Sequence, residues 1–411
     1  MFKHRLTGIS MNYRREPAVN RETGASNYGG TAVIPLYADS LPIVTEVKNG
    51  KTVEKFDVLA RDGDSFPTYS PARGAVTFDG DFATVTPKKE AAPFEPQPKS
   101  IDGITADELT QLAKLAGIID ETDGQPLYKK FMKHTEGIFD IILADASDED
   151  PYFSAGLRTL IERRDEICGA VELLLEVFSV KRAEIVYCDN LLSVDTIDKS
   201  QYSVPVKKLT FNYPAMSRYV EKLSAKQHVL TVGVIALYHL MRYLKTGQVQ
   251  TDTIITVSGD AIANPQNITV SIGTPVVEVL RACGLFQNPQ CVIMGGVIKG
   301  LTVNDDSIPV TVATRAVTAL TRLSIHKKKA CIACGKCMAV CPKKIMPYYI
   351  KIAYENNDVR SIKKHKACKC DSCLACSIVC PSNTHIGNIV ALAAQKSTEV
   401  GSEALENGNE S

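Results

Sequence analysis

Eight of the thirteen cysteines fall into two copies of one spacing, and no other feature restricts the fold of this chain as much. Cys331, Cys334, Cys337 and Cys341 lead into Pro342, while Cys370, Cys373, Cys376 and Cys380 lead into Pro381, so both runs read C-x2-C-x2-C-x3-C-P. Three thiolates on one tight loop can cap three corners of an iron–sulfur cubane. The fourth cysteine of each run crosses to close the other cluster. The spacing therefore assigns Cys331, Cys334, Cys337 and Cys380 to one [4Fe–4S] cluster, and Cys341, Cys370, Cys373 and Cys376 to a second. A tetrahedral zinc site needs only four ligands, so a pair of zinc knuckles explains neither the third cysteine of each run nor the proline. Disulfides fit less well, because Met1 to Pro17 carries scattered charges with no apolar core of a signal or transit peptide. Clustered C-x2-C in such a chain points to metal or redox use in a reducing compartment.

Cations crowd the same segment. Thr321 to Cys380 holds 13 Lys and Arg against 3 Asp and Glu, a difference of +10, in a chain whose net charge is +1. These cations can compensate anionic tetrathiolate clusters, or they can form a docking face for an acidic carrier such as ferredoxin or flavodoxin. Nucleic acid is not an expected partner, since no aromatic-rich groove pattern accompanies the charge.

The rest of the chain reads as several modules. From Asn27 to Pro87, short β-rich runs (Thr31–Leu36, Pro42–Val47, Asp57–Ala60, Gly74–Val76, Ala83–Val85) alternate with Gly, Pro and Asp turns, which predicts a small all-β unit. Pro93, Pro96 and Pro98 form a stiff linker. From Ile101 to Gly247, helical periodicity mixes with the runs Ile138–Leu143 and Ala183–Tyr187, an α/β pattern that ends in a helix over Leu230 to Leu244. The longest apolar stretch, Val229 to Leu244, carries His239 and Arg242 and falls short of the roughly 20 residues of a spanning helix, so no direct membrane span is expected. From Asp252 to Leu320 the pattern is that of a β-grasp-type module: strands Thr253–Val257, Ile268–Ser271 and Val292–Met294, with a helix over Pro275 to Ala282 closed by Gly284. Four glutamates among Gly, Ser and Asn between Ser397 and Ser411 predict a disordered tail.

With those residues in view, the chain resembles RnfC, the peripheral subunit of ion-translocating ferredoxin:NAD oxidoreductase complexes, from Gly29 through the cysteine runs. The matches occur in order: Ile34–Leu36; Asp150-Pro151-Tyr152, where that family has Glu-Pro-Tyr; Tyr213-Pro214; Gly259-Asp260-Ala261 with Asn264-Pro265 and Ile272-Gly273-Thr274-Pro275; Gly295-Gly296 with Gly300; and the double cysteine motif. The resemblance implies a multidomain α+β chain. Its parts would be an N-terminal β hybrid barrel (1–97), an α/β domain of flavin-binding type (98–247), an SLBB-like β-grasp module (248–318), an α-helical dicluster ferredoxin domain (319–394) and the acidic tail (395–411).

One departure from the family bears on cofactors. RnfC and the related flavoprotein subunit of NADH dehydrogenase wrap the FMN phosphate in a glycine-rich loop, because backbone N–H groups must approach the phosphate closely. Here the loop reads Gly117-Ile118-Ile119-Asp120-Glu121-Thr122-Asp123-Gly124-Gln125-Pro126. Three carboxylates stand where the resemblance places phosphate, which argues against FMN and for a degenerate site. Had that site been retained, Gly117, Gly124, Asp150 and Tyr152 would line it. Asp148, Glu149 and Asp150 read instead as a solvated acidic turn capping the helix that follows. RnfC-like proteins without the intact loop include the electron-transfer protein associated with proline reductase, PrdC.

Other residues read as ordinary. Cys368 breaks the repeat and is expected to be a spare thiol; Cys168, Cys188, Cys283 and Cys291 sit in apolar contexts as small hydrophobes. His326 and His365 are expected in solvent. Arg73, in the turn Ser70–Gly74 where a lipoyl carrier places its lysine, cannot be lipoylated, which leaves docking or assembly for that domain. The expected function is electron transfer through two [4Fe–4S] clusters between a reduced carrier (ferredoxin, flavodoxin or an NADH-linked donor) and a partner reductase or membrane Rnf-type subunits. That is a role within a larger assembly, not catalysis by the chain alone. It would be carried out in the cytoplasm or at the cytoplasmic face of a membrane complex. Two alternatives remain: an FMN-containing NADH-oxidising subunit, and a structural adaptor whose clusters are redox-inert and only stabilise the fold.

Overall fold

The computed structural model describes residues 9–12, 14, 16–26, 28–36, 41–88, 94–136, 139–188, 197–210, 212–305, 307–323 and 327–406. Pro93, Ile138 and His326 lie outside these. The chain forms two compact units: Tyr13–Lys208 with Gln227–Leu323, and Met1–Asn12 with Leu209–Lys226 and Ser324–Ser411.

The larger unit begins with two antiparallel sheets. One orders Ala32–Pro35, Phe82–Pro87, Gly74–Asp79 and Thr52–Val53; the other orders Val44–Thr45, Val58–Arg61 and Pro67–Tyr69. Alternation turns Ile34, Val76, Ala83 and Val85 inward, where they share a core with Leu59 and Val53. The strand Pro67–Tyr69 is absent from the sequence reading because proline marks a break there. A proline is tolerated as the first residue of a strand.

A four-stranded sheet follows, ordered Val206–Leu209, Ala183–Cys188, Ile141–Ala146 and Val229–Gly233, with Ile141–Ala146 parallel to both of its neighbours. Every residue of Ile141–Ala146 and Ala183–Cys188 is buried, as befits parallel strands covered on both faces. The covering helices are Ala106–Leu115, Ala155–Glu162, Arg164–Val177 and Val234–Thr246. Ala106–Leu115 starts on a reciprocal capping box between Thr105 and Glu108. The single helix expected over Leu230 to Leu244 is corrected here. Val229–Gly233 is an edge strand, and the helix begins only at Val234 with Gly233 as its cap. A continuous apolar run cannot by itself distinguish a buried strand from a buried helix. The proline segment is tied down by its backbone, the Gln97 and Lys99 amides donating to the Thr246 and Leu244 carbonyls at 2.7 and 2.8 Å.

The third sheet orders Gly24–Ala25, Gln266–Ser271, Asp252–Ser258, Ala316–Leu320, Cys291–Met294 and Leu301–Val303, with helix Val276–Ala282 on its core. Its edge strand Gly24–Ala25 comes from the N-terminal segment, so not all of the first 97 residues belong to the sandwich. Gly284 follows the helix at φ +76°, the left-handed turn that a helix end favours.

The smaller unit holds the cysteine runs. Helices Lys336–Val340, Pro347–Glu355, Val359–Lys364, Ala375–Ile378 and Ile386–Glu406 gather around Ile345, Ile350, Ile362, Ile386 and Val390. The same unit includes helix Ala215–Ser224, which interrupts the α/β chain between Val206–Leu209 and Val229–Gly233. The tail also differs from expectation. The last helix runs to Glu406, because a helix nucleated on the packed residues Ile386, Val390 and Ala393 propagates at little further cost.

Candidate functional site

The two cysteine runs have the same backbone. Positive φ recurs at matched offsets: Ala333 (51°) with Ser372 (52°), Gly335 (73°) with Leu374 (58°), and Lys344 (53°) with Asn383 (47°). Each loop then enters a short helix, Lys336–Val340 or Ala375–Ile378. Left-handed residues of this kind turn successive N–H groups inward, forming a concavity suited to an anion such as an iron–sulfur cluster.

The eight thiols divide between two cavities. Cys331, Cys334, Cys337 and Cys380 line one, together with Tyr348 and Thr384. Cys341, Cys370, Cys373 and Cys376 line the other, together with Lys343 and Asp371. Each cavity thus takes three cysteines from one run and the fourth from the other. Among the described residues no three Cys, His, Asp or Glu side chains close on a single-ion site.

The two cavities differ in exposure. Cys331 is exposed and Cys334 half-buried, whereas Cys373 is buried. Burial pushes the Cys337 thiol up to about 11 and Cys376 up to about 12, and raises Cys341 and Cys373 as well. At Cys380 burial is outweighed by hydrogen bonds from Thr384 and neighbouring backbone, and the thiol is lowered. Since iron binds thiolate, loading Cys337, Cys341, Cys373 and Cys376 must displace protons.

Four side chains from the inserted segment reach the walls of the second cavity. The Tyr213 hydroxyl donates to the Cys373 carbonyl and the Ser217 hydroxyl to the Asp371 carboxylate. Arg218 Nη2 donates to the Val340 carbonyl at 2.6 Å, and Glu221 pairs with Lys343 at 3.1 Å. Sequence reading names Tyr213 only within the Tyr213-Pro214 match and gives none of the four a contact with the cysteine loops. The contacts span 122 to 160 positions, and nothing local in Ala215–Ser224 announces them.

In the larger unit, carboxylates crowd the C-terminal end of the parallel strands, where α/β sheets place their ligands. Glu121 is buried and accepts hydrogen bonds from the Ile235 and Ala236 amides at 2.9 and 3.0 Å, the first turn of helix Val234–Thr246. Burial, and after it the charge of Asp120, push Glu121 up to about 8. Asp120, fully buried, accepts from Lys130 Nζ at 2.6 Å and from the Gly233 amide at 3.0 Å. Its burial is outweighed by the Lys130 charge, which holds Asp120 below its ordinary value.

The acidic turn at 148–150 is not solvated. Asp148 and Asp150 are 1% and 7% exposed. Asp148 does cap the following helix, accepting from the Leu157 amide at 2.7 Å, and also pairs with Arg315 at 3.2 Å. Asp150 accepts from the Tyr152 and Ile298 amides at 3.1 and 2.9 Å, which fastens the Gly295–Gly300 turn. The sequence shows the charges but not the cation and amides that allow their burial.

Gly117 and Gly124, at φ +66° and +74°, line an apolar cavity of about 310 Å³ with Phe66, Tyr69, Gln250 and Val312; Asp150 and Tyr152 do not border it. Cys168, Cys188, Cys283 and Cys291 are buried and Cys368 is exposed. His365 is half-buried and stacked on Tyr349 at 5.3 Å, rather than in solvent.

Known proteins resemble the chain in the same places. The SLBB domain model matches residues 254–290, and the 4Fe-4S dicluster domain model matches 323–381. The RnfC component of the proton-translocating ferredoxin:NAD(+) oxidoreductase complex of Clostridium ljungdahlii is 24% identical over 349 residues, 77% of this chain and 76% of that one. Its counterpart in the ion-translocating oxidoreductase complex of Yersinia pestis is 24% identical over 73% of this chain, and that of Rhodobacter capsulatus 25% over 54%; the aligned region spans about half the length of each, 54% and 47%. Among solved structures, the NAD+-reducing [NiFe]-hydrogenase in its H2-reduced state aligns at TM-score 0.46 with 12% identity, over 73% of this chain and 63% of that one, too loosely to establish a shared fold. The chain is thus similar to the RnfC components of ion-translocating oxidoreductase complexes, with a segment matching the SLBB domain ahead of one matching the 4Fe-4S dicluster domain.

Proposed function

We propose that the protein relays single electrons through two [4Fe–4S] clusters, with no flavin in the path. Cys331, Cys334, Cys337 and Cys380 hold the first cluster, and Cys341, Cys370, Cys373 and Cys376 the second. The division of eight thiols into two cavities, each with one crossed cysteine, carries this reading. When bound, the clusters supply one-electron chemistry. The chain's own residues hold them apart, shield them to different degrees and present one of them to a partner.

The first cavity is the docking end. Cys331 and Ile332 are exposed beside it, and Lys327, Lys328, Lys329 and Lys336 are exposed around them. An apolar contact ringed by cations suits an acidic carrier of the ferredoxin or flavodoxin kind, steered in by charge. The other redox partner is a reductase or a membrane subunit of Rnf type, met in the cytoplasm or at the cytoplasmic face of a membrane complex. Among the described residues no helix is long and apolar enough to cross a membrane, so contact with one would run through partners. A relay of this kind also suits the RnfC-like protein associated with proline reductase.

The crevice of the larger unit does not fit a flavin phosphate. An anion bound there would need the amides at the start of helix Val234–Thr246, and Glu121 already takes those of Ile235 and Ala236. The cation nearest the loop, Lys130, is engaged by Asp120 and Asp123 at 2.6 and 2.9 Å. The test is anaerobic purification with iron, sulfide and flavin assays. Iron and sulfide near eight each per chain, with flavin absent, supports the reading; stoichiometric FMN would restore the NADH-oxidising alternative.

A further inference from the structure

The two cavities are not equivalent, although their loops repeat. We infer that the inserted segment Tyr213–Glu221 positions the second cluster's loops and sets its reduction potential independently of the first; this rests on the two-cluster reading above.

The argument begins with the chain path. Strands Val206–Leu209 and Val229–Gly233 are the two opposite edges of one four-stranded sheet, so the chain between them has to cross it. On that crossing it adds Ala215–Ser224 to the cysteine unit. Glu221 lies four residues after Ser217 and three after Arg218, so it neighbours each of them on the helix surface. Each meets a different part of the second cavity: Ser217 the Asp371 next to Cys370, Arg218 the carbonyl preceding Cys341, and Glu221 the Lys343 two residues after Cys341. Tyr213, buried and fixed by an antiparallel bridge to Ile9, meets Cys373 itself. Three of the four ligand positions of that cavity are therefore gripped from one segment.

These contacts also set local charge. Reduction adds an electron to an already anionic cluster, so a nearby cation favours the reduced state and an uncompensated carboxylate opposes it. Arg218 supplies a cation beside the Cys341 loop, where Lys343 is paired with Glu221. The Ser217 hydroxyl partly neutralises Asp371, which borders the cavity. Removing either lowers the potential of the second cluster alone.

The test is an EPR-monitored redox titration of the full chain carrying Arg218→Met or Ser217→Ala, with Arg218→Lys as the conservative variant and iron content measured in parallel. The expected result is about a tenfold shift of one reduction equilibrium toward the oxidised state, or about 59 mV for one electron. The other signal stays fixed, and Arg218→Lys recovers most of the shift. Should Arg218→Met instead lose a cluster, iron falling to half with the unaffected signal retained supports the positioning role. Two unmoved signals, or equal shifts in both, would overturn this inference while leaving the relay intact. A wild-type chain without two cluster signals would overturn the relay itself.

Discussion

Glu121→Gln tests the filled crevice through its pH dependence. In the folded chain Glu121 is raised from 4.5 to about 8, so the neutral acid is the form the fold favours. A group raised in this way contributes stability that is fully present below its unfolded value, near 4.5, and lost as pH rises through about 8. Crossing from pH 5 to pH 8 covers about three units at about 1.36 kcal/mol each, or about 4 kcal/mol. Relaxation and water entry around a buried ion reduce this to on the order of 3 kcal/mol. Glutamine mimics the neutral acid and does not titrate, so the variant should hold its stability over the range where the wild type declines. Because the chain has two units, one melting temperature does not describe it. Hydrogen exchange of helix Val234–Thr246, corrected for intrinsic pH dependence, is the suitable assay. Wild-type protection should fall by about two orders of magnitude between pH 5 and pH 8, as 3 kcal/mol requires, and that of Glu121→Gln should stay level. Parallel profiles would refute the assignment of Glu121 as a buried, proton-retaining plug.

Other outcomes follow from the same geometry. Cys334→Ser and Cys373→Ser should each halve the iron content and remove a different EPR signal, which tests the crossed ligand sets one at a time. Replacing Lys327, Lys328, Lys329 and Lys336 by alanine should slow electron transfer with an acidic carrier by about tenfold at low salt and flatten its ionic-strength dependence, as stopped-flow mixing would record. Arg315→Met removes the guanidinium paired with Asp148 and should destabilise the larger unit by about 3 kcal/mol, read by hydrogen exchange of strand Ala316–Leu320.

How much of this the sequence discloses depends on the range of the interaction. Ligand spacing is local: Cys331 to Cys341 and Cys370 to Cys380 write out a loop whose backbone returns twice with the same left-handed turns. Strand alternation at Gly74–Asp79 and Phe82–Pro87 is local too. Where the deciding contact is distant, the residues alone mislead. Val229–Gly233 reads as helix until its pairing with Ile141–Ala146 is known. Asp148 and Asp150 read as solvated until Arg315 and the Ile298 amide are placed beside them. The loop at 117–126 shows its missing glycines, but only the fold shows Glu121 seated on the amides of a helix more than 110 residues away. The inserted helix Ala215–Ser224 gives no sign in sequence of the cysteines it serves.

The central claim is most directly tested by an EPR and absorbance redox titration of anaerobically purified chain, with iron, sulfide and flavin determined on the same sample. The account predicts two one-electron signals of [4Fe–4S] type and no flavin absorbance. A single redox-active centre, clusters that neither accept nor release an electron, or a flavin that bleaches with NADH would contradict it.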